Sequence, residues 1–154
     1  MGETRRFYQP VAINDKLTVS GTAALGAVTN SSVASTGAIT SSSPSAKIGY
    51  ATGAGSTVTQ ASSRTTGVSI NAVCGQITLV SAAGSATAAS FTVTNSSVAA
   101  GDEVNVWQVS GTDLYRIHVT NVGSGTFQVT FNTTGGTTTE QPVFGFAVRK
   151  AVSA

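Results

Sequence analysis

Apolar and polar residues alternate along most of the last two-thirds of the chain. Phe127, Val129 and Phe131 fall on one side, with Gln128 and Thr130 on the other. Phe144, Phe146 and Val148 repeat the pattern near the end, and Tyr115, Ile117 and Val119 carry it between. Phe91 with Val93, and Ile77 with Leu79, are shorter cases. A period of two is the signature of a strand with one buried face. Val104 and Val106 oppose Trp107 and Val109, which predicts a strand covered on both faces. Turn formers separate these runs: Gly84-Ser85, Asn95 to Ser97, Gly101-Asp102, Gly111 to Asp113, Gly123 to Gly125 and Gly135-Gly136. Gly accepts the positive φ that such corners need, and Asn and Asp tolerate it.

The spacing predicts about eight strands, near 55–61, 66–71, 73–81, 89–95, 103–110, 114–121, 126–132 and 140–149. Short strands at such intervals, with no helical period, indicate an all-β, antiparallel sandwich or barrel. Eight strands fit a jelly-roll-like sandwich best, with a seven-strand Greek key as the competitor. Ser81 to Ala89 is Ala-rich but interrupted by Gly84, so it reads as a loop.

The first third is different. Residues 1–16 are charged and irregular, and Pro10 among Phe7, Tyr8, Val11 and Ile13 favours an extended path over a helix. Residues 17–46 are rich in Ser, Thr, Gly and Ala, with sparse aliphatics from Leu17 to Ile39. That is too little apolar surface for an independent core. The organisation expected is an extended N-terminal arm over residues 1–46, for docking, followed by a sandwich over residues 47–154. Arg5, Arg6, Phe7, Tyr8, Val11 and Ile13 are the candidate docking residues. Burying the four apolar ones is worth at most roughly 1.5–3 kcal/mol each. Val28 to Ala34 recurs as Val93 to Ala99, which places both copies at strand ends running into turns.

Composition sharpens the picture. Charged residues make up 9% of the chain, against roughly 25% in soluble domains. Hydroxyls and backbone must solvate such a surface. The net charge of +2 comes from scattered groups, with no basic stripe interleaved with aromatics, so no nucleic-acid partner is expected. No run approaches the roughly 20 apolar residues of a membrane helix, and nothing near Met1 resembles a secretory leader. The chain is therefore expected to be made in a cytosol, where the sequons at Asn30, Asn95 and Asn132 carry no meaning. The single cysteine, Cys74, has no partner for a disulfide and is expected to be a small buried hydrophobe.

Groups that could carry chemistry are few. The one histidine, His118, shares a strand face with Arg116, which suits a solvated or interface position. Three copies meeting on an axis could make it a metal ligand. Asp102 and Glu103 are neighbours and point to opposite faces, so they make a poor acid–base pair. Asp113 sits in a turn and reads as a cap. There is no nucleophile elbow and no phosphate loop. The expectation is a protein that is not an enzyme and uses no cofactor or resident metal. Trp107, the only tryptophan, is expected in the core or half-core, with a sugar-stacking platform or a subunit contact as the alternatives.

From Lys47-Ile-Gly-Tyr-Ala-Thr-Gly-Ala-Gly-Ser-Thr-Val-Thr-Gln, through Arg64-Thr-Thr-Gly-Val-Ser-Ile-Asn and Cys74-Gly-Gln-Ile-Thr, to Val143-Phe-Gly-Phe-Ala-Val-Arg-Lys, the chain resembles a β-sandwich module of tailed-bacteriophage virion proteins. The resemblance covers roughly residues 47–150. It implies a homotrimeric capsid decoration (cement) or head-fibre protein on the outer capsid surface, bound to the major capsid protein. It brings no catalytic residues with it. The alternative is a host-receptor or glycan-binding module of a tail fibre, using loops 81–89, 110–113 and 132–139.

Overall fold

In a computed structural model, residues 49–151 are described, and they form an all-β sandwich. The expected arm, with Arg5, Arg6, Phe7, Tyr8, Val11, Ile13 and the first copy of the repeat, lies outside the described residues. The elements are β1 (Gly55–Thr59), β2 (Val68–Ser69), β3 (Cys74–Thr78), β4 (Ala82–Ala83), β5 (Ala89–Thr94), β6 (Glu103–Ser110), β7 (Tyr115–Gly123), β8 (Thr126–Thr133), β9 (Thr139–Glu140) and β10 (Val143–Arg149). One sheet runs β1-β3-β10-β6 and the other β2-β5-β8-β7, while β4 and β9 pair as a small separate ribbon.

All eight expected strands appear. The last is divided because Pro142, which has no N–H for a ladder, separates β9 from β10. The stretch read as a loop before β5 contributes the short β4. The pairing differs from a purely antiparallel sandwich at one edge of each large sheet. β1 pairs with β3, and β2 with β5, in parallel. The cause is the interleaved path: β1 to β2 to β3 leaves the first sheet, visits the second and returns beside β1 in the same direction. The step from β2 to β5 does the same from the other side.

Alternation assigns the inward faces as expected. Ile77, Phe144, Phe146 and Val148 of one sheet meet Phe91, Val93, Phe127, Val129 and Phe131 of the other, all buried. Phe127 faces Phe146 with ring centres 5.5 Å apart, and Phe131 faces Phe144 at 5.5 Å. Tilted and edge-on contacts of this kind add to the burial itself. Asn95, just after β5, is a fully buried polar residue. Its Nδ2 donates to the Ala72 carbonyl at 2.7 Å and its Oδ1 accepts the Ser97 N–H at 2.9 Å, which fixes the turn expected there. Gly125, with φ of +74°, donates its N–H to the Val98 carbonyl and accepts from Asn95, so the 95–98 and 123–126 turns lock together.

Two carboxylates are structural pins. Asp102 is buried and accepts from Lys150 Nζ at 2.5 Å, from the Ala99 N–H at 2.8 Å and from the Ala151 N–H at 3.2 Å. The Lys150 bond above all, then the Ala99 N–H, holds its carboxyl below the ordinary carboxylate value, against the opposing effect of burial. For Glu140, burial pushes upward. The Thr112 and Asp113 N–H groups and the Tyr115 hydroxyl outweigh it, so this carboxyl is also lowered. Both groups release their protons more readily folded than unfolded. The stability they contribute is fully present above the ordinary carboxylate range of roughly 4 and falls away as pH drops through and below it. Urea midpoints from pH 7 down to pH 2 should therefore decline most steeply below about pH 4, and Asp102→Asn should flatten that decline. An equally steep acid loss in Asp102→Asn would remove this group from the account.

Candidate functional site

Strand pairing places three sets of polar and aromatic residues in distinct parts of the sandwich. The first set sits at the end of the sandwich where β4 and β9 pair, around Arg64. Its Nε donates to the Val80 carbonyl at 3.0 Å, and its Nη2 to the carbonyls of Ala82 at 2.5 Å and Glu140 at 2.7 Å. Nη1 reaches the Ala83 carbonyl at 3.4 Å and the Tyr115 hydroxyl at 3.0 Å. Tyr115 in turn donates to Glu140 Oε1 at 3.1 Å, and its burial pushes the phenol above its usual value. Glu140 accepts the N–H groups of Thr112 and Asp113. Asp113 accepts the Thr138 N–H at 2.9 Å, so it caps a neighbouring loop, while its own turn is capped by Glu140. Loops 81–89, 110–113 and 132–139, proposed from sequence as ligand-binding, are thus tied to one another.

The second set lies on the outer face of the β2-β5-β8-β7 sheet. Arg116 and His118 point outward from β7, as expected, opposite Asn132 and Thr130 of β8. Beside them runs a hydroxyl ladder: Ser90 to Thr130 at 2.7 Å, Thr130 to Thr120 at 2.8 Å, and Thr120 to Gln128 at 3.0 Å. These groups satisfy one another and leave a hydroxyl-rich surface beside Arg116 and His118.

The third set lies on the outer face of the β1-β3-β10-β6 sheet and corrects an expectation. Trp107 is 47% exposed and Val109 44%, so β6 is covered on its inner side alone, by Val104 and Val106 packing on the core. The strand register aligns Trp107, Gly145, Gln76 and Thr57 in one row across β6, β10, β3 and β1. The adjacent row is Asn105, Ala147 and Cys74. Cys74 is half-buried on this outer face rather than a core residue, because β3 turns Gly75 inward beneath Phe146. Next to the second row is an open cleft of about 340 Å³ lined by Gly49, Tyr50, Asn105, Ala147, Val148 and Arg149.

The carboxylates among the described residues have separate occupations. Asp102 holds Lys150, and Glu103 pairs with Arg149 at 2.9 Å on the surface. Among the described residues no three His, Cys, Asp or Glu side chains gather as a metal-ligand set, and no buried side-chain polar atom lacks a partner. Arg64 was not singled out from sequence. Its signal was isolation: it is the only charged residue between Lys47 and Asp102. No protein-family model, curated protein or solved structure matches the chain.

Proposed function

We propose that this chain is a non-enzymatic structural subunit of a tailed-phage particle, a homotrimeric capsid decoration or head-fibre protein held to the shell by its N-terminal arm. The observation that carries the non-catalytic part is the employment of the carboxylates among the described residues. Asp102, Asp113 and Glu140 each accept backbone N–H groups that fix a loop or the segment just after β10, and Glu103 pairs with Arg149. General acid–base chemistry needs such a group free to exchange a proton beside a substrate. Here they are spent on rigidity. A sandwich locked at its loops, with hydroxyl-rich, sparsely charged faces, suits a part displayed many times on a particle. The sequence resemblance over residues 47–150 supports the phage setting, and the sparse 17–46 segment supports dependence on sister chains.

Light scattering on the full chain should give a trimer at micromolar concentration. A well-folded monomer would sink the trimeric reading. Deleting residues 1–16 should leave the sandwich melting as before yet abolish attachment to particles. Unchanged attachment would mean that the arm is not the anchor. Quantitative mass spectrometry of purified particles separates decoration, at hundreds of copies, from host recognition, at a handful.

A further inference from the structure

The outer row of the β1-β3-β10-β6 sheet has a feature that particle attachment through the arm does not use. A methyl group at Gly145 would come within 2.5–2.7 Å of Trp107 Cε2, Cζ2 and Nε1. Near-equal distances to three contiguous ring atoms, with the shared carbon closest, mean that the indole lies face-down over the glycine. Only a residue without a side chain can stand there. One face of the indole is thus fixed on the sheet, and the residue remains 47% exposed. An indole held flat on one face offers its other face to a partner that is itself part apolar and part polar.

What surrounds the ring defines what it can take. The next residue in the row, beyond Gly145, is Gln76, which is exposed and whose amide has no hydrogen-bond partner among the described residues. Thr57 follows it, and Asn105 stands two residues along β6 from the indole. Adjacent strands are about 4.8 Å apart, so a ring seated on the indole lies within reach of the Gln76 amide. An amide offers two donors and an acceptor in one plane, which matches a pair of vicinal hydroxyls. Glu103 and Arg149, paired at one end of the same two strands, carry opposite charges 2.9 Å apart. The indole plate, with Val109 beside it on β6 and the Gln76 amide and Thr57 hydroxyl along its row, fits a pyranose, whose C–H face packs on the indole while its hydroxyls meet Gln76 and the Oδ1 of Asn105, whose Nδ2 donates to Glu103.

We infer that Trp107, seated on Gly145 and flanked by Gln76 and Asn105, is a binding site for neutral oligosaccharides. The cleft beside Asn105 and Ala147, with Tyr50 on its wall and 49% exposed, extends the site along β6 and β10. A chain of several sugars is therefore the preferred ligand over a single one. This site is independent of the particle role: a monomer that binds sugar would overturn the trimer and leave the site standing.

The only tryptophan is its own reporter. The full chain is titrated with maltohexaose, cellohexaose, chitohexaose and mannohexaose, and with the matching disaccharides, while Trp107 emission is followed. At least one hexasaccharide should shift the emission saturably with half-saturation near or below about 1 mM, about tenfold tighter than its disaccharide. Gln76→Ala should leave the free spectrum and the melt unchanged and weaken that binding at least about fivefold. Trp107→Ala, with no reporter, is run by affinity electrophoresis through the corresponding polysaccharide and should lose its retardation. The inference is overturned if no hexasaccharide gives a saturable shift up to about 10 mM, if Gln76→Ala binds as wild type, or if the emission follows protein concentration rather than sugar, which would make the ring a contact between copies.

Discussion

Phe146→Ala should lower the unfolding free energy by about 3–5 kcal/mol, the largest loss expected of any single truncation in the sandwich. Phe146 has no exposed surface and stands on β10, which is paired on both sides, by β3 and β6. Its ring spans the gap between the sheets to Phe127 at 5.5 Å. It also covers Gly75, where a methyl group would come within 2.9 Å of its Cε1 and 3.0 Å of Ile70 Cδ1. Strands held on both sides cannot slide inward to refill the space, so most of the cavity would persist. Urea unfolding, with the midpoint and slope measured together, reads the loss. A cost below about 1 kcal/mol would mean that the two sheets do not meet through this ring.

Arg64→Ala should cost about 2–4 kcal/mol, although Arg64 forms no ion pair among the described residues. Five donor contacts hold the carbonyls of Val80, Ala82, Ala83 and Glu140 and the Tyr115 hydroxyl in one place. Charge-assisted bonds are stronger than neutral ones, and removing the donor leaves several part-buried acceptors to find water. The guanidinium also lies 5.8 Å from the centre of the Tyr115 ring. Arg64→Lys should recover only part of the loss, since an ammonium is a point charge with three donors and cannot reproduce the fork. Amide exchange should quicken first at Gly84 and Leu79, whose N–H groups bond to Thr138 and Pro142 across the same end of the sandwich. Full recovery by Lys would show that charge alone, rather than the fan of carbonyls, does the holding.

Much of the sandwich was legible because a half-buried strand writes its inner face into every second residue. Phe127, Val129, Phe131, Phe144, Phe146 and Val148 all point where alternation sends them. The turn at Asn95 and the outward placing of Arg116 and His118 were legible for the same local reasons. β6 marks where that logic stops. With Val104 and Val106 on one side and Trp107 and Val109 on the other, period two supplies two apolar faces and no rule for choosing. The choice fell to a neighbour: Gly145, opposite Trp107 on β10, leaves room for the indole outside the sheet, and the register that brings the two together belongs to the tertiary structure.

Arg64 shows the limit most plainly. Its acceptors lie 16 to 76 residues away, and four of the five are backbone carbonyls. A carbonyl is the same whatever side chain it carries, so no residue type advertises the pairing in advance. The parallel edge pairs are alike in this respect: whether β1 meets β3 depends on the chain's excursion through the other sheet and not on any residue within either strand. Local chemistry therefore determined by itself that this chain makes strands, where they turn and which large side chains go inside wherever only one face of a strand is apolar. Which strands lie together, which polar groups find each other and which aromatic is left outside were decided by the fold, because those contacts join residues distant in sequence through groups that the sequence does not distinguish.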